Sequence, residues 1–337
     1  MTIYKLPDLT VQEKLPEGCV IALGYFDGVH LGHRRIIDTA RLEAISRGVS
    51  CGVWLICSGD GYKGGVSSLT DEAEKLLLAY EAGAEYAAVY DFSEIRGFSG
   101  ESFVRDVLKG RLNVSCAVCG FNFRFGKGAS MGVAELKTVG ETYGMDTVIT
   151  PEVDDDDGLC ISSTRIRSLI TKGGVSDAAL LLGRPYFFTS RVLRGKRLGR
   201  KLGFPTANQQ IPAGKVAPAN GVYAVEVSFE ENGEVFSYPG AANVGNCPTF
   251  DERTLREVDV APEYLLNDGA ASVEKKTCET YIIGYTGDLY GRCVRISFLE
   301  KLRDEEKFAN IDNLIKQIKL DAERAESIFF EIYGIRK

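Results

Sequence analysis

The sequence predicts a two-part chain: an α/β domain built on a parallel sheet over residues 1–182, then an antiparallel β-barrel domain with a C-terminal helix over residues 183–337. Three observations predict it. Up to about residue 182, short apolar runs alternate with helix-period stretches, the pattern of a parallel sheet covered on both faces. Near Gly183-Arg-Pro-Tyr186 the rhythm changes to period-two strands, such as Val225, Val227, Phe229 and Val294, Ile296, Phe298, punctuated by Gly, Pro and Asn as in a small barrel. After Asp304 the pattern turns helical, with Phe308, Ile311, Ile315 and Ile318 forming a stripe expected to pack on the barrel.

In order, the strand-like runs of the first part are 19–26, 50–57, 85–92, 114–120 and 146–150, with helices between them. A Gly-punctuated turn follows the first strand, and a helix opens near His30 with Ile37, Ala40 and Ala44 as its apolar stripe. Thr70 is the expected N-cap of the next helix, with Asp71 and Glu72 in its first turn; Ser99 caps the helix holding Phe103 and Val107. Cys116 and Cys119 form a Cys-x-x-Cys inside a strand, where residues three apart point to opposite faces. No second pair has metal-ligand spacing, so a structural metal is not expected, and the acidic run 154–157 reads as a solvated loop.

Composition narrows the function classes. The chain of 337 residues has room for two cores and is 45% hydrophobic and 26% charged, with no apolar run long enough to span a bilayer. Residues 1–17 lack an apolar signal core, so export is not expected. A net charge of −7 argues against general nucleic-acid binding. Nine cysteines, an odd count without a signal, suggest reduced thiols in the cytoplasm. The expected partners are small molecules, not nucleic acid or a membrane.

The chain's two histidines, His30 and His33, stand three apart where that helix starts. Side chains at this spacing share a face. Free N–H groups and the positive dipole end make a helix start an anion site, and ligands of parallel sheets bind beyond the carboxyl ends of the strands. A nucleotide phosphate is the natural guest, and Gly32 would let it approach the backbone. In Gly120-Phe-Asn-Phe-Arg-Phe-Gly126, Phe121, Phe123 and Phe125 suit either core packing or, with Asn122 and Arg124, a flat heterocycle and its phosphate. Ile161-Ser-Ser-Thr-Arg-Ile-Arg167 places Ser163, Thr164, Arg165 and Arg167 at a second helix start. Gly195-Lys-Arg-Leu-Gly-Arg-Lys-Leu-Gly-Phe-Pro-Thr-Ala-Asn208 joins glycines to a cluster of six basic residues between Arg191 and Lys201, which favours a polyphosphate. Thr206 and Asn208 offer oxygen ligands for magnesium.

His-x-Gly-His in this setting resembles the phosphate-binding signature of nucleotidyltransferases. Taken together, the segments resemble one family, the bacterial bifunctional riboflavin kinase/FMN adenylyltransferases (FAD synthetases). The resemblance runs from Gly24-Tyr-Phe-Asp-Gly-Val-His-Leu-Gly-His33 through Ile161-Ser-Ser-Thr-Arg-Ile-Arg167, Gly183-Arg-Pro-Tyr186 and Gly203-Phe-Pro-Thr-Ala-Asn208. It continues through Gly221-Val-Tyr-Ala224, Asn243-Val-Gly245, Pro248-Thr-Phe250 and Asp288-Leu-Tyr-Gly291 to Leu302-Arg-Asp-Glu-Glu-Lys-Phe308.

It implies a Rossmann-like nucleotidyltransferase domain making FAD and pyrophosphate from FMN and ATP, and a barrel domain making FMN and ADP from riboflavin and ATP, both with Mg2+. It also implies roles. Glu279, in Thr277-Cys-Glu-Thr-Tyr281, matches the family's catalytic glutamate, a base for the ribityl alcohol. His30 and His33 are catalytic in adenylyl transfer, with Gly24, Phe26, Asp27, Gly32, Ser163, Thr164, Arg165 and Arg167 around the ATP phosphates. Asn122, Phe123 and Phe125 hold the flavin. Gly195, Lys196, Gly199, Gly203, Pro205 and Asn208 hold the ATP of the kinase, and Thr206 and Asn208 its metal.

The chain departs from the pattern in places. Members carry a Phe-x-Pro-His-Pro-like segment after the second strand, where this chain has Val53-Trp-Leu-Ile-Cys-Ser-Gly-Asp-Gly-Tyr62. Tyr281 stands where His is common, Gly284 where Asp is, and 251–276 is a long insertion. The first departure defines the alternative, a riboflavin kinase with an impaired adenylyltransferase half. A non-catalytic flavin-binding protein is the reading from another class.

Overall fold

The structure is a computed structural model that describes residues 1–6, 18–57, 67–91, 95–194, 202–246 and 276–334. Contacts divide the chain into two compact units, Met1–Ser163 and Thr164–Lys337. The division falls ahead of the change of rhythm at Gly183.

In the first unit, strands β1 (Thr2–Leu6), β2 (Cys19–Leu23), β3 (Cys51–Cys57), β4 (Tyr86–Asp91), β5 (Val114–Gly120) and β6 (Asp146–Thr150) form one sheet in the order β1-β4-β3-β2-β5-β6. Every pairing is parallel. The expected α/β architecture is therefore present, with one strand more than the apolar runs marked. The extra strand, β1, lies at the edge, and its mixed Thr-Ile-Tyr-Lys-Leu sequence carries no apolar run to announce it. The first expected strand ends at Leu23 rather than Phe26, because Phe26 turns the backbone to φ 51°.

Helices α1 (Leu31–Arg47), α2 (Glu72–Glu81), α3 (Phe103–Arg111) and α4 (Val133–Thr142) complete this unit. All five residues of β2 are fully buried, as a strand covered on both faces requires. α1 buries Ile36, Ile37, Ala40 and Ala44, the stripe its spacing predicts. Trp54, Tyr90, Phe103, Val107, Leu108 and Leu136 belong to the unit's core, where the Trp54 and Tyr90 rings stack at 4.4 Å. Ser99 Oγ accepts from the Ser102 N–H at 3.1 Å, the expected cap. Beyond it α3 is wound in wide π-type turns that no spacing rule signalled. Cys116 and Cys119 are both fully buried, and the seven cysteines whose side chains are described are all free.

In the second unit, α5 (Ser163–Thr171) and α6 (Val175–Leu182) precede strands β7 (Tyr186–Leu193), β8 (Thr206–Gln210), β9 (Gly221–Glu231), β10 (Glu234–Asn246), β11 (Lys276–Ile282) and β12 (Cys293–Arg303). These close into an antiparallel barrel in the order β10-β11-β8-β7-β12-β9. Val225, Val227, Phe229, Val294, Ile296 and Phe298 are all buried, as their alternation predicts.

Helix α7 (Ile311–Tyr333) follows, but its buried seam is later than the stripe expected for it. Ala325, Ile328 and Phe329 pack with Ala224, Ala241 and Leu299 of the barrel, whereas Ile311 is exposed and Phe308 precedes the helix. The deeper end is fixed by an ion pair. Arg303 Nη2 meets Asp321 Oδ2 at 2.8 Å, its Nε reaches both carboxylate oxygens, and Gln317 Nε2 donates to Oδ1.

Candidate functional site

In the first unit the site begins where β2 runs out. Gly24, Tyr25, Phe26, Asp27, Gly28 and Val29 turn the chain into α1, with positive φ at Phe26 (51°), Gly28 (84°) and Val29 (39°). For a β-branched residue such a φ is an outlier, and each strained position costs about 1–3 kcal/mol unless its surroundings enforce it. The enforcement is visible. Phe26, Asp27 and Val29 are fully buried, and a Cβ on Gly24 would sit 3.0 Å from the Phe26 ring.

Asp27 is the anchor of this turn. Its Oδ1 accepts from the Leu69 N–H (2.9 Å), the Thr70 N–H (3.2 Å) and Thr70 Oγ1 (3.3 Å). The Gly28 N–H donates to Thr70 Oγ1 at 2.9 Å, and the Asp27 carbonyl accepts from Ser163 Oγ at 2.9 Å. Thr70 is therefore not the N-cap it was expected to be. Its hydroxyl serves the turn, and Asp71 caps α2 in a reciprocal box with Glu74. Asp27 itself holds the backbone of Leu69 and Thr70 and takes the Ser163 hydroxyl on its carbonyl, a bracing geometry alongside its expected place among phosphate-contacting residues.

His30 is the N-cap of α1. Its Nδ1 accepts from the His33 N–H at 3.3 Å. The His30 and His33 rings stack with centroids 3.7 Å apart, and His33 meets Phe26 edge-on at 5.3 Å. A Cβ on Gly32 would lie 3.1 Å from His30 Cε1 and 3.2 Å from Nδ1. The bare glycine thus keeps the His30 ring in place, a reason nearer at hand than the approach of a phosphate. Ser163 starts α5, with Thr164, Arg165 and Arg167 following in its first turns.

The aromatic segment after β5 divides. Asn122 is exposed and Phe123 half-buried, whereas Phe125 is 7% exposed and part of the core. Phe125 pairs by backbone with Met131 and stacks on Phe123 at 5.9 Å. Phe125 is thus packed in the core cluster, with Phe123 between it and the surface.

In the second unit Glu279 lies mid-strand in β11. It is in register with Asn208 of β8 on one side and Asn243 of β10 on the other. Directly opposed residues share a face of the sheet. The neighbours on the other face, Gln209, Cys278, Thr280, Ala242 and Val244, are all fully buried inside the barrel. The row Asn208–Glu279–Asn243 therefore stands on the outer surface, where Glu279 and Asn243 are exposed and Asn208 is covered. Asn208 Nδ2 donates to the Thr206 carbonyl (3.2 Å) and faces Thr206 Oγ1 at 3.5 Å, so the metal-ligating pair expected from the sequence is adjacent.

Gly203 has a φ of 86°, and Pro205 is exposed just before β8. Phe204 packs edge-on against Tyr281 at 5.3 Å. Gly195, Lys196 and Gly199 lie outside the described residues, as do Ser58 to Tyr62 of the departing segment and most of the 251–276 insertion. Asn243 was passed over as a site residue, because register between strands far apart in sequence leaves no local signal.

A parallel α/β unit with paired histidines at a helix start, joined in one chain to a closed barrel with a carboxylate between two carboxamides, defines a two-part enzyme that transfers groups from a nucleotide. The comparisons narrow the class. A family model described as FAD synthetase matches residues 12–165, and one described as riboflavin kinase matches residues 182–329. The chain is 33% identical over 317 residues to the bifunctional riboflavin kinase/FMN adenylyltransferase of Bacillus subtilis, covering 92% of each chain. It is 32% identical over 322 residues to that of Escherichia coli, covering 93% of each. A crystal structure described as a macrolide-efflux protein from Streptococcus pneumoniae superposes with a TM-score of 0.79 at 28% identity, over 96% of this chain and 99% of that one. The chain belongs to the bifunctional riboflavin kinase/FMN adenylyltransferase family. Among the described residues no helix is long and apolar enough to cross a membrane.

Proposed function

We propose that the chain makes FAD in two ATP-dependent steps: residues 183–337 phosphorylate riboflavin to FMN, and residues 1–182 transfer AMP to FMN, releasing pyrophosphate. The observation that carries this reading is Glu279 held in register between Asn208 and Asn243 on the open face of the barrel. The ribityl hydroxyl is neutral at pH 7. Glu279 accepts its proton while the oxygen attacks the γ-phosphorus of ATP and the bond to ADP breaks; such a base is worth about 10²–10⁴ in rate.

The adenylyl step needs no such base, because the FMN phosphate has a second pKa of about 6 and is largely dianionic. One of its oxygens attacks the α-phosphorus, and the bond to pyrophosphate breaks. His30 and His33 stabilise the charge that develops there, with Arg165 and Arg167 and the start of α5 as further donors. Gly24, Phe26, Asp27 and Gly32 hold the turn that carries the histidines. Asn122 and Phe123 take the flavin ring, with Phe125 supporting Phe123 from the core side.

Magnesium fits the residues present. Thr206 and Asn208 each carry a side-chain oxygen suited to magnesium, and the Asn208 amide nitrogen donates to Thr206, which leaves Asn208 Oδ1 as the atom for a ligand. Thr206 and Asn208 would hold the metal, which would supply neutralising charge for the ATP phosphates. By the family resemblance, Gly195, Lys196, Gly199, Gly203 and Pro205 are assigned to the same phosphates. We place both reactions in the cytoplasm, whose reducing poise keeps free thiols reduced.

The test is chromatography of flavins after incubation with ATP, magnesium and either riboflavin or FMN. FAD from both substrates is expected. FMN without FAD from either would leave the barrel as the working half and refute the adenylyl assignment. Glu279→Gln should abolish FMN formation and spare FAD formation from supplied FMN. His33→Ala should do the reverse, with a loss of roughly 10²–10³; equal loss of both activities in a folded variant would refute the division of labour.

A further inference from the structure

We propose that Tyr281 is a positioning residue for the ATP of riboflavin phosphorylation, its ring holding Phe204 and, through it, the turn that leads into Thr206 and Asn208. The inference rests on the assignment of residues 203–208 to that nucleotide and adds the group that sets their shape before it arrives.

The turn has little of its own to hold it. β8 pairs with β11 from Thr206 onward, and with β7 only from Asn208, so Gly203, Phe204 and Pro205 stand ahead of both ladders. Gly203 has a φ of 86° and lies in open space, with nothing within 4 Å of the point a Cβ would occupy. Pro205 is exposed and has no N–H to donate. Phe204 is the half-buried residue of the three. It meets the Tyr281 ring edge-on, with centroids 5.3 Å apart and planes at 83°. Aromatic pairs favour this T-shaped geometry, the positive edge of one ring against the negative face of the other.

Strand β11 presents the Tyr281 ring from a fixed place. Tyr281 directly opposes Thr206 of β8 and Ala241 of β10, while its neighbours Thr280 and Ile282 are buried. It therefore stands on the outer face, one step along the strand from Glu279 on the same side. Phe204, two residues before Thr206, falls within the diagonal reach that aromatic side chains have across a ladder. From Phe204 the backbone runs through Pro205 to Thr206, whose carbonyl accepts from Asn208 Nδ2 at 3.2 Å. The two oxygen-bearing side chains assigned to the metal thus follow directly on a turn whose one half-buried side chain rests on Tyr281.

A segment ordered in advance spares its ligand the cost of ordering it. A segment that is competent only part of the time weakens the apparent affinity by that fraction. The ring contact accordingly acts on the binding of ATP and leaves the proton transfer at the riboflavin hydroxyl alone. An edge-to-face pair contributes roughly 2- to 10-fold to such an equilibrium.

The experiment is steady-state kinetics of riboflavin phosphorylation in the full chain, for wild type, Tyr281→Ala, Tyr281→Phe, Phe204→Ala, the double alanine variant and Asn208→Ala. Tyr281→Ala should raise KM for ATP about 2- to 10-fold, with kcat at saturating ATP and KM for riboflavin unchanged. Phe204→Ala removes the same contact from outside the barrel strands and should give the same change. The double variant should be no worse than either single one, because the two rings share one interaction. Tyr281→Phe keeps the ring and should restore the wild-type KM. A wild-type KM for ATP in both single alanine variants overturns the inference, as do losses that add in the double variant. A fall in kcat at unchanged KM overturns it too, since the substitution would then be acting on Glu279. Asn208→Ala separates the two levels. Wild-type kinetics there would refute the assignment of this segment to ATP and the inference with it, whereas impaired kinetics there beside a wild-type Tyr281→Ala refutes the role of the ring alone.

Discussion

Replacing Asp27 tests whether the histidine turn is held from below. Asp27 is fully buried, and its Oδ1 takes the N–H groups of Leu69 and Thr70, residues that are 1% and 3% exposed. In Asp27→Ala both donors lose their partner in a place water does not reach. An orphaned buried donor costs about 1–3 kcal/mol, so the pair costs about 4 kcal/mol. Asp27→Asn keeps an acceptor oxygen and removes the charge, which lowers each bond from the charged to the neutral range and costs about 2 kcal/mol in all. The chain's one tryptophan, Trp54, is in this unit and stacks on Tyr90, so its fluorescence follows this unit's unfolding in urea. With a slope of roughly 2 kcal/mol per molar urea, the midpoint should fall by about 2 M for the alanine variant and about 1 M for asparagine. FAD formation should fall about tenfold in the folded asparagine variant, because the turn that aligns His30 and His33 loses its charged anchor. An alanine variant whose Trp54 transition stays within about 1 kcal/mol of wild type would refute the bracing role.

Two further outcomes follow from other buried groups. Asp321→Ala leaves Arg303 charged and largely enclosed without its partner, and should destabilise the barrel unit by about 3–5 kcal/mol in urea unfolding followed by circular dichroism; a change below about 1 kcal/mol contradicts the anchoring of α7. Burial pushes the thiols of Cys51, Cys119 and Cys278 up to about 12 and that of Cys116 up to about 11, from 9.0. The unfolded thiols release protons first, so this stability is fully present below pH 9 and is lost as pH rises toward 11–12. The loss is about 1 kcal/mol per thiol per pH unit. Urea midpoints at pH 8, 9 and 10 measure it, and a constant midpoint to pH 10 would contradict it.

What could be read ahead of the structure was whatever a local pattern encodes. The alternation to residue 182 and the inward triplets Val225/Val227/Phe229 and Val294/Ile296/Phe298 needed only period and turn chemistry. The His30 helix start was legible for the same reason. Thr70 was not, because Thr70 and Asp71 are equally good caps and the choice is made by a bond to Asp27 more than forty residues away. Asn243 escaped because strand register is set by how the barrel closes, which no window of sequence contains. The seam of α7 moved along the helix because an amphipathic helix offers several apolar stretches, and the Arg303–Asp321 pair selects one. Phe125's place in the core rests on contacts with Met131 and Phe103, partners that no local spacing names.

Placing Asn208, Glu279 and Asn243 on the outside of a closed barrel separates two kinds of inheritance along the same three strands. Positions 207, 209, 242, 244, 278 and 280 fill the interior, and the positions between them face outward, where the proposed phosphorylation would occur. Substitutions at the outward positions can retune substrate preference without opening a void, so the chemistry can drift while the core stays still. A single inserted residue would instead exchange the two sets of the strand that receives it; in β11 it would turn Glu279 inward and Cys278 out. Descendants of such a chain are free to vary these strands in composition but not in length, and any growth must go into the connections between them.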